Sequence, residues 1–159
     1  MRDAGNQLGY SLLLTLSMTG ARISEVLALT ASRIDKENGA VVFETLKRRR
    51  KGVFRAVPVP GHLIQKLQEL ECPVGQRLWP WCRTTVWAIV KKVMREAGIS
   101  EALCKPRSLR HTFAVQASQK GVPLNIIQRW LGHARIETTA IYADALGVEE
   151  RTLARRIWR

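Results

Sequence analysis

The sequence predicts a mainly α-helical domain that carries one small antiparallel β-sheet. Apolar residues recur at helical spacing through most of the chain, and one pair of short β-like runs flanks a basic turn. Glycines and prolines separate these segments. With 159 residues, 46% of them apolar, the chain has the size and composition of a single globular domain with one substantial core.

Two helices are expected at the N-terminal end of the chain. Residues 8–18 are nearly all apolar, which is typical of a buried helix. The pair Thr19-Gly20 interrupts this run, and residues 22–29 resume a helical pattern.

A hairpin or small sheet is expected next. Residues 40–46 and 53–59 are β-like and flank the basic turn 47–52. Pro58 and Pro60 end the second run, since proline cannot donate a hydrogen bond to a neighbouring strand.

The remainder of the chain predicts helices, each with its apolar residues on one face. We expect them, in chain order, at about 63–70, 86–97, 108–121, 123–131, 136–144 and 148–157. Gly98 should end the second of these helices, Ser108 should be the N-cap of the third, and Pro123 should begin the fourth.

The charge is unusual, because 26 Lys and Arg face 13 Asp and Glu and give a net charge of +13. Such a field favours a polyanionic partner, of which nucleic acid is the commonest. A basic surface kept for solubility or ribosome association is the alternative.

The cysteines Cys72, Cys82 and Cys104 are odd in number and lack a C-x-x-C spacing, which argues against a disulfide framework and a zinc cluster. The sequence shows neither a signal peptide nor an apolar run long enough for a membrane helix, so we expect a cytoplasmic protein.

Three polar clusters could carry chemistry. Arg22 follows a glycine break and opens a helix, where its donors join free backbone N–H groups in a way that suits a phosphate. Arg107 and Arg110 lie three residues apart on one helical face, and like charges so placed repel unless an anion lies between them. The third cluster is His133, followed nine residues later by Tyr142. Taken singly, each is more typical of a solvated or structural residue.

Taken together and in this order, the clusters resemble the tyrosine recombinase (phage integrase) family over nearly the whole chain, from about residue 8 to 158. The matching segments are TGARISEVLAL around Arg22, the hairpin with Lys47, SLRHTFA around Arg110, and LGHARIETTAIYA with His133 and Tyr142. The resemblance implies the family's mainly helical catalytic domain with a small sheet at one edge. We therefore expect residues 1–159 to form a single catalytic domain, with the family's N-terminal DNA-clamping domain absent from this chain.

The resemblance also implies a reaction, transesterification at a DNA phosphate without metal or cofactor. Tyr142 would be the nucleophile and would form a 3′-phosphotyrosyl intermediate. Arg22 and Arg110 would grip the phosphate oxygens, and His133 would hydrogen-bond the same phosphate. The family's hairpin lysine, which protonates the leaving 5′-oxygen, matches Lys47.

Two features of this set stay open. Lys51 lies in the same turn as Lys47 and is the reserve candidate for the general acid, and the neighbouring Arg48, Arg49, Arg50 and Lys51 are expected to contact DNA. Arg107 stands where the family usually has His. An arginine can bind phosphate but does not accept a tyrosine proton, so the general-base step is in doubt.

The implied partner is double-stranded DNA, in the nucleoid. In the family a C-terminal helix, here residues 147–159, docks into a neighbouring protomer on DNA, which implies a tetramer; a helix that folds back on its own domain is the alternative.

Two other functions stay open as well, a non-catalytic DNA-binding module of the same fold and a type IB topoisomerase-like nicking-closing activity. The sequence does not name the DNA target, nor choose among integration, excision and dimer resolution.

Overall fold

A computed structural model describes residues 2–45, 52–133 and 137–140. These ranges fold mainly into helices, with one small sheet between the second and third. The elements are α1 Arg2–Thr19, α2 Ile23–Leu27, β1 Ile34–Asp35, β2 Ala40–Glu44, β3 Phe54–Pro58, α3 Gly61–Gln68, α4 Arg83–Glu96, α5 Pro106–Gln119, α6 Leu124–Leu131 and α7 Glu137–Ala140. The predicted fold class is confirmed.

The three strands form an antiparallel sheet in the order β1-β2-β3. Pairing of Ala40 with Pro58 and of Glu44 with Phe54 fixes the register of β2 on β3. Strands β2 and β3 match the predicted hairpin, whereas the two-residue β1 was not predicted, since so short a strand has no periodicity to read.

The sheet shows the alternation of a half-buried surface. Val41 and Phe43 of β2 and Val57 of β3 are fully buried against the helices. Because side chains alternate along a strand, Arg55 lies on the same inward face as Val57, and it too is buried.

Two clusters of buried apolar side chains stabilise the described part of the chain. The large cluster joins α1, α2, the sheet, α3 and α4, and includes Leu16, Val26 and Trp79. The small cluster lies between α5 and α6 and consists of Ala114, Ala117, Ile127 and Leu131. The functional candidates lie where these clusters meet.

The start of α5 differs from the prediction. The helix begins at Pro106 with Lys105 as its N-cap, so the expectation that Ser108 caps it is wrong. A proline fits the first helical position because its φ is already helical and its missing N–H would have had no partner there. Arg107 and Arg110 therefore both lie in the first turns of α5.

The predicted helix ends agree more closely. α1 stops at Thr19, and Gly20 adopts a φ of +61° that a side chain would disfavour. Gly98 and Gly121 take similar left-handed conformations just after α4 and α5.

Several predicted features lie outside the described residues: the turn with Lys47 to Lys51, Tyr142, and the helix expected over 148–157. Among the described residues, no helix is long and apolar enough to cross a membrane.

Candidate active site

Arg22 is placed by the turn that separates α1 from α2. It is the N-cap of α2, in extended conformation, and its backbone N–H donates to Oε2 of Glu25 at 2.9 Å. Its side chain also reaches Glu25, with Nη1 at 2.8 Å from Oε1. The guanidinium is therefore tethered on one side while 22% of the side chain remains accessible to a ligand.

Glu25 is a buried carboxylate held by two arginines. Its Oε2 accepts a second hydrogen bond from Nη2 of Arg55 at 2.7 Å. Burial by itself raises the pKa of this carboxyl, but the hydrogen bond and charge of Arg55, together with the backbone N–H and charge of Arg22, outweigh it and leave the pKa lowered. Glu25 is thus a fixed negative charge that orients two cations.

Arg55 connects three parts of the fold. Besides Glu25, it donates from Nε to the Trp130 carbonyl at 2.7 Å and from Nη1 to Oγ1 of Thr45 at 3.0 Å. Thr45 follows β2 at the base of the basic turn, and Trp130 precedes the segment that carries His133. A buried arginine therefore joins the hairpin, α2 and the end of α6.

Gly132 is required where α6 passes this arginine. Its φ is +65°, and a Cβ built there would lie 3.0 Å from Cζ of Arg55. A side chain would be strained and would also displace the guanidinium. The Leu131-Gly132-His133 segment can therefore approach Arg55 closely.

Arg110 is oriented by two backbone carbonyls on either side of it. Nη1 donates to the Gly20 carbonyl at 2.7 Å, and Nη2 donates to the Leu131 carbonyl at 2.8 Å. These carbonyls precede Arg22 and His133 by two residues each, so Arg110 fixes the separation of the other two candidates. The structure thus brings Arg22, Arg110 and His133 together.

His133 is buried, with 9% of its surface exposed. Its Nδ1 lies 2.9 Å from Oγ1 of Thr139, which is fully buried. Burial lowers the pKa of His133 to about 4, with the positive charges of Arg110, Arg22 and Arg55 acting in the same direction. The imidazole is therefore neutral at neutral pH.

Arg22 and Arg110, beside a neutral imidazole, make a candidate site for an anion, while the buried Arg55 is bound to Glu25. On the side of Arg55 and His133 a cleft of about 280 Å³ opens, which is also lined by Thr45, Gln128 and Arg129 but not by Arg22 or Arg110. Arginine forks and imidazole N–H groups are donors that match phosphate oxygens. No group of three or more His, Cys, Asp or Glu side chains that could hold a metal ion occurs in the described ranges.

The remaining predicted residues fall into two groups. Arg107 is exposed on α5, one turn before Arg110. Tyr142, Lys47, Arg48, Arg49, Arg50 and Lys51 lie outside the described residues, so their roles stay predictions.

Sequence reasoning missed three residues of this arrangement: Glu25, Arg55 and Thr139. Two of them left a signal. Arg55 occupies the inward-facing register of Val57, which is an unusual place for a charge, and Glu25 lies three residues after an N-cap, where a glutamate reaches back to the cap N–H. Thr139 left none, because its contact with His133 depends on how the chain folds after α6.

The chain is similar in sequence and fold to known proteins. Residues 8–147 match the model of the phage integrase family. Tyrosine recombinase XerA of Pyrococcus furiosus is 33% identical over 146 residues, which cover 82% of this chain and 48% of the relative. Tyrosine recombinase XerD of Corynebacterium glutamicum is 29% identical over 159 residues, covering 89% of this chain and 48% of the relative. The chain thus spans about half the length of these relatives.

Solved structures show the same fold. A XerH site-specific recombinase bound to a palindromic difH substrate, in a post-cleavage complex, matches 99% of this chain and 48% of its own with a TM-score of 0.79 at 24% identity. The catalytic domain of bacteriophage HP1 integrase matches 91% of this chain and 85% of its own with a TM-score of 0.64 at 24% identity. From its family match and the curated relatives, the chain belongs to the phage integrase family of tyrosine recombinases.

Proposed function

We propose that this chain is the catalytic domain of a site-specific tyrosine recombinase, which cuts and rejoins double-stranded DNA through a 3′-phosphotyrosyl intermediate. The observation that supports this most is the convergence of Arg22, Arg110 and His133, each held by hydrogen bonds to its neighbours. Named tyrosine recombinases among the relatives and the DNA-bound recombinases of the same fold support it further.

Arg22 and Arg110 bind the non-bridging oxygens of the scissile phosphate, and His133 donates a hydrogen bond to the same group. Negative charge grows on those oxygens as the phosphorus becomes five-coordinate, so donors fixed beforehand stabilise the transition state more than the ground state. By analogy with the loss of one oxyanion donor, each arginine lowers the activation free energy by roughly 3 kcal/mol.

Tyr142 supplies the nucleophile. Its hydroxyl oxygen gives up its proton to water and attacks the phosphorus, the bond to the 5′-oxygen breaks, and the 5′-oxygen leaves with the bonding electrons. Lys47, or Lys51 in reserve, donates a proton to that oxygen, because an ammonium can release a proton whereas a guanidinium resists doing so. The phosphodiester energy is kept in the tyrosyl bond, so a 5′-hydroxyl can reseal the strand by the reverse step.

Arg107 alters the removal of the tyrosine proton. A phenol has a pKa near 10, and an arginine beside the phosphate favours the phenolate electrostatically without accepting its proton. A general base typically increases the rate about 100- to 10,000-fold. The charge of Arg107 offsets part of the rate that is lost without one. We infer a slow enzyme whose cleavage rate rises with pH.

The partner is duplex DNA of the nucleoid, and the net charge of +13 with the basic turn of Lys47 to Lys51 supplies phosphate contacts. The logarithm of affinity for a duplex should fall with the logarithm of salt concentration by about 0.9 for each phosphate contact. A fluorescence-anisotropy titration at several salt concentrations measures this slope, and a flat dependence would argue against DNA as partner.

Assembly into a tetramer through residues 147–159 belongs to the same proposal, and light scattering on DNA tests it.

A covalent-trapping experiment tests the chemistry. The probe is a labelled pool of nicked duplexes with randomised sequence around the nick, since the target is not known. Tyr142→Phe should bind DNA like the parent yet form no denaturant-resistant adduct. Adduct formed by the Phe variant would refute Tyr142 as nucleophile, and binding without adduct in the parent would favour the non-catalytic module.

The same probe separates the remaining alternatives. Arg107→His should speed adduct formation near neutral pH and flatten its rise with pH, while Arg107→Ala should be slower than the parent. An Ala variant equal to the parent at every pH would make Arg107 a bystander. Relaxation of supercoiled plasmids without site preference would indicate a topoisomerase-like activity instead.

A further inference from the structure

We propose that Thr139 is a positioning residue that donates its hydroxyl hydrogen to Nδ1 of His133 and thereby keeps the imidazole proton on Nε2, the nitrogen that faces the phosphate. This inference rests on the proposed function. It assigns a role to an uncharged residue that acts through His133.

The contact itself is well defined. Oγ1 of Thr139 lies 2.9 Å from Nδ1 of His133, and the threonine is fully buried while the histidine is 9% exposed. A buried hydrogen bond is not exchanged for one to water, so it holds the ring in one orientation. The backbone N–H of His133 also donates to the Gln128 carbonyl at 3.1 Å, which fixes the start of the segment.

A neutral histidine has one N–H, and its position decides what the ring can do. Burial and the three neighbouring arginines keep the imidazole neutral at neutral pH. A phosphate offers only acceptors, so the ring nitrogen facing it must carry the hydrogen. Since Thr139 occupies Nδ1, Nε2 is the nitrogen left for the phosphate, and the tautomer with a proton on Nε2 requires the threonine to donate.

The location of Thr139 extends its role. It lies on α7, three residues before Tyr142, so the hydrogen bond connects the segment leading to the nucleophile with the histidine after α6. For metal-binding histidines, loss of the orienting hydrogen-bond partner typically costs about 10- to 100-fold in metal affinity or activity, and we expect an effect of the same order on His133.

The first measurement is the tautomer of His133. Long-range ¹H–¹⁵N spectra of the ¹⁵N-histidine-labelled protein, assigned with a His133→Gln variant, report which ring nitrogen carries the proton at neutral pH. We expect protonated Nε2 in the parent and in Thr139→Ser, and a mixture of tautomers in Thr139→Val. A parent with its proton on Nδ1 would overturn the inference without any variant.

The second measurement is adduct formation on the nicked-duplex pool. Thr139→Val should slow it about 10- to 100-fold, Thr139→Ser should restore most of the rate, and the control Thr138→Val, at the exposed neighbouring position of α7, should leave it unchanged. Equal rates for Thr139→Val and the parent would overturn the inference. A parent that forms no adduct refutes the proposed function instead, and the tautomer spectra still decide the donor role of Thr139.

Discussion

The two apolar clusters hold their parts of the site in different ways. Arg22 caps α2 and Glu25 lies on it, and the apolar side chains of α2 are buried in the large cluster with α1, the sheet and α4. His133 follows α6, which is backed by the small cluster, where two of the four core residues are alanines. Apolar burial stabilises in proportion to area, so the small cluster contributes much less.

Buried polar bonds to the end of α6 compensate for this, one from the sheet and one from α5. Arg55 donates to the Trp130 carbonyl and Arg110 to the Leu131 carbonyl, both near the end of α6. The same arginines bind Glu25 and the Gly20 carbonyl on the other side. The end of α6, where the core is thin, is thus positioned by buried hydrogen bonds from Arg55 and Arg110, whereas on the side of the large cluster the ion pairs of Glu25 add to extensive packing.

The largest expected effect comes from removing Arg55. Arg55→Leu leaves the Glu25 carboxylate without one of its two cations and the Trp130 carbonyl without its donor. Breaking a buried ion pair from one side typically costs about 3–5 kcal/mol of unfolding free energy. Urea unfolding measures the loss, and amide exchange should show α6 losing more protection than α1.

The control for this change is Lys92→Leu, which removes an exposed pair in which Nζ of Lys92 lies 3.9 Å from Glu96. Its unfolding free energy should not change measurably. Equal losses at the two positions, or equal loss of protection in α1 and α6, would contradict the contrast between the clusters.

The next effect is a pH dependence confined to the small-cluster half. The pKa of folded His133 is lowered to about 4 from 6.5, chiefly by burial and also by Arg110, Arg22 and Arg55, with Glu25 opposing. Between the folded pKa of about 4 and the unfolded pKa of 6.5, the unfolded chain therefore binds more protons at His133 than the folded chain does. The free energy of unfolding that is present above the unfolded pKa is lost as the pH falls toward the folded pKa. Between about pH 7 and about pH 4.5 this should amount to roughly 2–3 kcal/mol.

A difference measurement isolates that contribution. His133→Gln should weaken the acid sensitivity of the free energy of unfolding, whereas the same change at the exposed His62 should leave it as in the parent. Parallel acid profiles for the parent and His133→Gln would show that this histidine is not held in its neutral form by the fold.

The share of the structure that could be predicted from the sequence also differs between regions of the molecule. The helices and the hairpin were predictable because their apolar periodicity and glycine punctuation are local, and Arg22, Arg110 and His133 were identified by ordered motifs. The bonds that orient them were not, because Arg110 meets carbonyls 90 and 21 residues away and Arg55 meets one 75 residues away. Such contacts depend on how elements pack, which no local pattern records.

The smallest effect tests the direct contact between the clusters. At Gly20, whose φ is +61°, an added Cβ would lie 2.6 Å from Cδ1 of Phe113 and 2.9 Å from Cδ2 of Leu131. At Gly121 the φ is +75° and nothing lies within 4 Å, so this glycine is a matched control for the backbone strain alone. That strain is about 1–2 kcal/mol for an L-residue in the left-handed region.

Gly20→Ala should therefore destabilise more than Gly121→Ala, by about 1–3 kcal/mol, because the extra methyl must push two packed side chains apart. Thermal or urea unfolding of both variants gives this difference. A Phe113→Leu change should relieve part of it, so that the double variant with Gly20→Ala loses less than the sum of the single changes. Equal losses at the two glycines, or strict additivity with Phe113→Leu, would mean that the close approach of α1 to α5 and α6 leaves room for a methyl group.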